Sequence, residues 1–135
     1  GGVKIVVDMQ GLAPNSTHGF HIHQYGDCTA ADGTSAGGHY APQGHKHGAP
    51  TDAEHHAGDL GNIKADAQGR VHHEMTVDFI TITGKHNPVL GLGVIVHAGA
   101  DDLVSQPTGA AGARIACGVI GVANPADVPG AIMMR

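Results

Sequence analysis

The sequence predicts an all-β domain, a sandwich or barrel of short strands. Two observations carry this expectation. Short runs rich in β-branched residues recur along the chain with Gly and Pro between them. Twenty-two glycines and seven prolines among 135 residues leave little room for long helices. A chain of this length makes one domain with a single core. Aromatic residues are only 3% and Trp is absent, so Val, Ile, Leu and Ala must build that core.

Val3 to Met9 is an apolar run closed by Gly11 and Pro14 and reads as the first strand. Thr17 to Gln24 alternates Phe20 and Ile22 with His21 and His23, so one face feeds a core while the other presents two imidazoles. Gly26 to about Asn62 has no sustained period and reads as a long loop. A loop of that length in a compact domain is usually functional or disordered, and histidines at fixed offsets favour function. Arg70 to Met75, Phe79 to Thr83, Val89 to Leu90 and Gly93 to His97 give short strand signals. Ala98 to Ala113 is a second loop, and Arg114 to Ala123 is the last strand. Pro125 and Pro129 disfavour both helix and central strand in the tail, 124–135.

Formal net charge is −5, which argues against nucleic-acid binding through the surface at large. No apolar run reaches eighteen residues, and GGVKIVVDMQG at the start lacks the basic and long apolar segments of a signal peptide. No internal repeat is visible. Cys28 and Cys117 stand far apart and, taken alone, are compatible with a bridge, a metal pair or two bystanders.

Twelve histidines are the main functional lead. His21 and His23, two apart on a strand, can reach one ion together. His39, His47, His56 and Asp59 come from the long loop and offer three imidazoles and a carboxylate, the donor set of a closed tetrahedral zinc site. His97 ends another strand and can join His21 and His23. An all-imidazole set with an open position suits copper. A His39 shared by both ions would be an imidazolate with one ring nitrogen on each.

These motifs together, GFHIH (19–23), GDC (26–28), SAGGHYAP (35–42), KHGAP (46–50), HAGDLGN (56–62), VIVH (94–97) leading into ADDL (100–103), and GARIACGVIGVA (112–123), resemble those of the copper–zinc superoxide dismutases. The resemblance covers most of Val3 to Ala123. It implies a Greek-key β-barrel or sandwich with two long functional loops, over a domain at 1–123 with a tail at 124–135. It implies one copper per chain on His21, His23, His39 and His97, and one zinc on His39, His47, His56 and Asp59. Asp101 would link a copper histidine to a zinc histidine, and Arg114 would dock the superoxide anion. Cys28 would pair with Cys117, closing most of the chain into one loop and contributing roughly 4 kcal/mol. The implied reaction converts superoxide to dioxygen and hydrogen peroxide, with zinc structural. A copper- and zinc-binding carrier with little turnover is the alternative, and the anion-docking Arg114 argues against it.

The chain begins where the family's third strand would lie, so two sheet edges, near Val3–Met9 and Arg114–Ala123, are expected to be closed by a partner copy or the tail. A dimer or larger homo-oligomer is therefore expected. LVSQPT, residues 103–108, lacks the charged residues that eukaryotic members use for steering, which leaves Arg114 more of that task. GDC resembles the bacterial branch and favours a periplasmic or extracellular location, with the cytoplasm as the alternative. His18 is expected to support the loops by local hydrogen bonds. His45, His55 and His86 are expected to face solvent, and His72 and His73 to point to opposite faces of a strand. Met133 and Met134 are expected to pack as apolar tail residues.

Overall fold

A computed structural model describes residues 2–124 and Ala126. Among the described residues six strands are formed: β1 Val3–Met9, β2 Thr17–His23, β3 Asp59–Lys64, β4 Val71–Val77, β5 Gly93–His97 and β6 Arg114–Val119. A single 3-10 turn, Thr34–Ala36, interrupts the first long loop. The strands make two antiparallel sheets, β1–β4 and β3–β2–β5–β6. Among the described residues the sheets do not close into a barrel, and β1 and β6 each have a neighbour on one side only.

The apolar core lies between the sheets and is built on Phe20, Ile22, Ile63, Val71, Val77 and Val96. Its side chains alternate along each strand, as the pleat requires. β1 shows this plainly: Val3, Ile5, Val7 and Met9 are half-buried while Lys4, Val6 and Asp8 are exposed.

β2 is buried on both faces. Phe20 and Ile22 enter the core, whereas His21 and His23 lie beneath the two long loops. Those loops cover the outer face of the larger sheet and position the functional residues. The first is stitched to β2 by Tyr40 N–H to Ile22 O (2.9 Å), Ile22 N–H to Gly58 O (2.9 Å) and Gln24 N–H to Gly38 O (2.9 Å). It is also tied to β6 by the Cys28–Cys117 disulfide, with Cα atoms 5.7 Å apart.

Two expectations about elements need correction. Asp59–Lys64 is a strand rather than the end of a loop; its Gly61 and Asn62 weaken the local signal, and pairing with β2 supplies what propensity does not. Phe79–Thr83 and Val89–Leu90 are not strands but flank a turn held by one isolated bridge, Thr81 to Pro88, with Asn87 at φ 46°. Most of the tail, with Met133 and Met134, lies outside the described residues.

Candidate metal centre

Two β-bulges aim the histidines. The β2–β3 register slips between Gly19 and His21, and the β5–β6 register slips between Val96 and His97. Bulges re-aim side chains beside functional sites. A bridge from His23 to His39 then brings the first loop over the strand. The ligand atoms of His21, His23, His39 and His97 lie within 4.8 Å of one another, all four residues buried.

Hydrogen bonds fix which nitrogen of each ring is free. His23 Nδ1–H donates to Gly37 O (2.8 Å) and His97 Nδ1–H to Gly112 O (3.0 Å). A carbonyl only accepts, so these nitrogens carry the hydrogen and leave Nε2 as a lone-pair donor. His21 Nε2–H donates to Asp101 Oδ2 (2.7 Å), leaving its Nδ1 free. The nitrogens so left, His21 Nδ1, His23 Nε2 and His97 Nε2, are buried without a hydrogen-bond partner, and so is His39 Nε2. An unsatisfied buried polar atom costs about 1–3 kcal/mol. Four of them in one cluster make a donor set for a bound ion, and imidazole lone pairs fit copper.

The second nitrogen of His39 faces a different group. Asp59 Oδ1 lies 3.0 Å from His39 Nδ1, 2.8 Å from His47 Nδ1 and 3.4 Å from His56 Nδ1, and His39 Nδ1 is 3.2 Å from His56 Nδ1. Donor atoms about 2.0 Å from a shared tetrahedral ion stand about 3.3 Å apart, so these four atoms have the spacing of a zinc cage. His21 also comes within reach of His39, His47 and Asp59. Its Nε2 is committed to Asp101 and its free Nδ1 belongs to the other cluster, whereas His56 Nδ1 is 3.4 Å from Asp59 Oδ1 and 3.2 Å from His39 Nδ1. His39 is the hub, its ring centroid 3.9 Å from His21, 5.0 Å from His23, and 5.2 Å from both His47 and His56.

Asp101 spans the two groups. Besides His21 it accepts from His47 Nε2 through Oδ1 (2.8 Å) and from Leu103 N–H (2.7 Å). Its backbone is clamped by Asn62, which accepts Asp101 N–H (2.7 Å) and donates to Asp101 O (3.0 Å). Burial would raise the Asp59 and Asp101 carboxyls, but their bonds to histidine and backbone N–H groups outweigh it and hold both well below the usual range.

Arg114 sits opposite His97 in the β5–β6 register, and its Nη1 donates to Gly33 O (2.9 Å). The guanidinium is thus anchored by the first loop beside the four-histidine group. Burial, with a smaller contribution from Arg114, disfavours charge on both His23 and His97.

Burial pushes His23 down to about 3 and His39 to about 4, and lowers His21 and His97 as well. In the unfolded chain these rings protonate near 6.5. The unfolded state therefore binds more protons below that value, and stability falls as acid is added. Burial opposes charge on His47 too, but Asp101 and Asp59 on its two nitrogens raise it to about 9. Its contribution is present below 6.5 and lost as pH rises through about 9. The metal-free protein should accordingly melt highest near neutral pH, with the midpoint falling on the order of 10 °C by about pH 4.5. Calorimetry across pH checks this, and a flat acid limb would contradict it.

Two positions escape sequence reasoning. Gly109, at φ 75°, lies so close to the Asp101–His47 bridge that an added Cβ would stand 1.9 Å from Asp101 Oδ1 and 2.6 Å from His47 Nε2. Gly109→Ala should cost at least about 2 kcal/mol and weaken zinc retention, read by denaturant unfolding and chelator competition. Unchanged values in both would refute the close contact. Gln106 accepts His47 N–H (2.8 Å) and donates to His47 O (2.8 Å), holding that ligand's backbone from the second loop. Neither residue type carries a signal in sequence beyond its place in a loop.

The remaining histidines divide. His18 is buried, with Nδ1–H donating to His97 O (2.7 Å) and Nε2 2.6 Å from Ser16 Oγ, which supports the β5 end. His45 and His86 are exposed, and His72 and His73 lie on opposite faces of β4. His55 departs from expectation: it is half-buried, edge-on to Phe79 with ring centroids 4.4 Å apart.

A comparison with protein families matches residues 1–120 to copper/zinc superoxide dismutase. Among curated proteins the chain is 51% identical over 126 residues to a superoxide dismutase [Cu-Zn] of Cordyceps militaris, covering 89% of this chain and 80% of that protein. It is 46% identical over 127 residues to that of Schizosaccharomyces pombe, covering 90% and 81%. It is 48% identical over 129 residues to that of Paramecium bursaria Chlorella virus 1, covering 90% and 67%. With two donor clusters meeting at one imidazole, an arginine anchored opposite His97, and these likenesses along nearly its whole length, the chain belongs to the copper/zinc superoxide dismutase family.

Proposed function

We infer that the protein dismutates superoxide, with copper held by His21, His23, His39 and His97 and zinc by His39, His47, His56 and Asp59. The observation that carries this reading is the cluster of four buried imidazole nitrogens with no hydrogen-bond partner. Copper, when bound, supplies a one-electron cycle in which one superoxide is oxidised to dioxygen and a second, taking up two protons, is reduced to hydrogen peroxide. Arg114, always charged, draws the anion to the face beside His97 and His23. His39 would hold a proton at Nε2 for the departing peroxide only when that nitrogen is off the copper, while its Nδ1 stays in the zinc group. Asp101 keeps the His21 and His47 rings in the tautomers that leave their Nδ1 atoms free for metal.

Metal analysis of the purified protein, paired with a superoxide-consumption assay, tests this. Consumption should scale with copper content. Full copper occupancy without turnover would instead identify a metal carrier.

Self-association at the open edges of β1 and β6 is part of the same proposal. Unpaired edges invite pairing, and exposed Val6, Val119 and Val122 lie on or just beyond these two strands. Light scattering should report a dimer or a larger assembly.

A further inference from the structure

Of the four residues in the zinc group, His47 has the least support from its own surroundings in the chain. Asp59 begins β3, His39 is bridged to β2, and His56 O accepts Asp59 N–H (3.0 Å) in the turn that leads into β3. His47 is only 2% exposed, yet it stands in a stretch, 44–49, that belongs to no strand. Among the described residues its N–H and its carbonyl both pair with one side chain, that of Gln106 in the second loop. The flanking bonds are weaker: Lys46 N–H reaches Glu54 Oε2 only at 3.4 Å, and Gly48 N–H reaches Asp59 Oδ2 at 3.1 Å.

We propose that Gln106 is a positioning residue for the zinc group. Its side-chain amide pairs with the backbone of His47 as a neighbouring strand would, and so sets how tightly that ligand is kept against Asp59 and the ion. The proposal rests on the zinc reading given above and extends it to a side chain outside the donor set.

An amide is the group this role requires. A residue in extended backbone offers a donor and an acceptor on one side, and a planar amide answers with an acceptor and a donor. Gln106 Oε1 takes His47 N–H, one Nε2 hydrogen goes to His47 O, and the other goes to Val104 O (3.0 Å). Both hydrogens of the amide are used. A carboxylate of the same length would accept from His47 N–H but would face two carbonyls without a hydrogen to offer. A thioether would fill the space and bond to neither.

The segment that presents Gln106 is closed on itself. Asp102 N–H donates to Gly109 O (2.9 Å), Gly109 N–H donates to Ser105 O (2.7 Å), and Asp102 Oδ1 accepts Val104 N–H (2.9 Å) and Ser105 N–H (2.8 Å). None of these bonds uses a metal ligand, so the frame that carries the amide is independent of the donor groups. Without the amide, two buried backbone groups of His47 lose their partners, which a protein interior rarely tolerates. The stretch can recover those bonds by moving outward to water. That motion carries the ring away from Asp59 Oδ1 and Asp101 Oδ1, each now 2.8 Å from one of its nitrogens.

Gln106→Met removes the three bonds at nearly constant length. It should weaken zinc binding about tenfold to a hundredfold in chelator competition, with copper affinity changed by less than about threefold. Cobalt(II), placed in the zinc group of the copper-free protein, absorbs visible light in bands that report ligand geometry, and those bands should shift in the variant. Gln106→Glu should behave like Gln106→Met although it keeps the acceptor, and it carries the same comparison if the methionine variant does not fold. Asp102→Ala loosens the same segment without touching His47, and should leave zinc affinity within about threefold and the cobalt bands in place.

Zinc affinity within about twofold of the original in both Gln106 variants, with unshifted cobalt bands, would overturn the proposal. Equal weakening by Asp102→Ala would also overturn it, because loop order and not the amide would then hold the ligand. So would a matched loss of copper and zinc, the mark of a general loss of stability. An unaltered protein that takes up neither zinc nor cobalt would overturn the zinc reading together with this one.

Discussion

His39→Ala is expected to lower superoxide turnover by at least about a hundredfold and to reduce retention of both metals. Among the described residues His39 puts one ring nitrogen toward each group: Nε2 is one of the four unpartnered buried nitrogens that cluster with His21, His23 and His97, and Nδ1 stands 3.0 Å from Asp59 Oδ1. Losing an outer contact to a ligand costs tenfold to a hundredfold in affinity or activity, and losing the shared ligand costs more. Three rings would remain on the copper side, with His47, His56 and Asp59 on the other. Copper should still bind, more weakly, but its environment should no longer respond to zinc. Metal analysis by mass spectrometry alongside turnover decides the matter. A variant that keeps both ions and works within a few-fold of the original would show that His39 is not shared.

Arg114→Ala should lower kcat/KM by about tenfold to a hundredfold while copper and zinc content stay unchanged. The side chain touches neither ligand cluster by hydrogen bond; its recorded bond is to Gly33 O. Its effect must come through charge at the face beside His97. With a net charge of −5, the protein as a whole repels an anion, so a local positive field has to do the attracting. Residues 103–108 add no cation. The dependence of rate on ionic strength should therefore flatten in the variant. Arg114→Lys should fall between the two, keeping the charge but losing the planar fork that bonds Gly33. Wild-type turnover by Arg114→Ala at low salt would remove the docking role.

What was legible in the sequence follows from how local each feature is. The alternation of Phe20 and Ile22 with His21 and His23 already told which side chains enter the core, because a strand's pleat enforces it. The loop ligands His39, His47 and His56 were legible only as a set with Asp59. No local rule places them, and their convergence depends on the stitching of the first loop to β2 and on the covalent tie at Cys28. β3 was missed because Asp59, Gly61 and Asn62 are poor strand formers, and only its partner strand makes it one. Gly109 and Gln106 were invisible for the same reason. Each matters through a contact with a residue more than fifty positions away or across a loop, and neither type advertises it.

The same logic accounts for the turn at 79–90. Ile80 and Val89 are buried and look like strand residues, but both belong to a loop closing one end of the core. Apolar periodicity over four or five residues cannot separate the two cases.

Copper electron paramagnetic resonance, recorded with the copper group filled and the zinc group first empty and then filled, addresses the shared imidazole most directly. Zinc addition should change the shape of the cupric signal in the unaltered protein, because one ring then carries an ion on each nitrogen, and should leave it unchanged in His39→Ala. A cupric spectrum that ignores zinc in the unaltered protein would mean that the two donor groups are chemically separate.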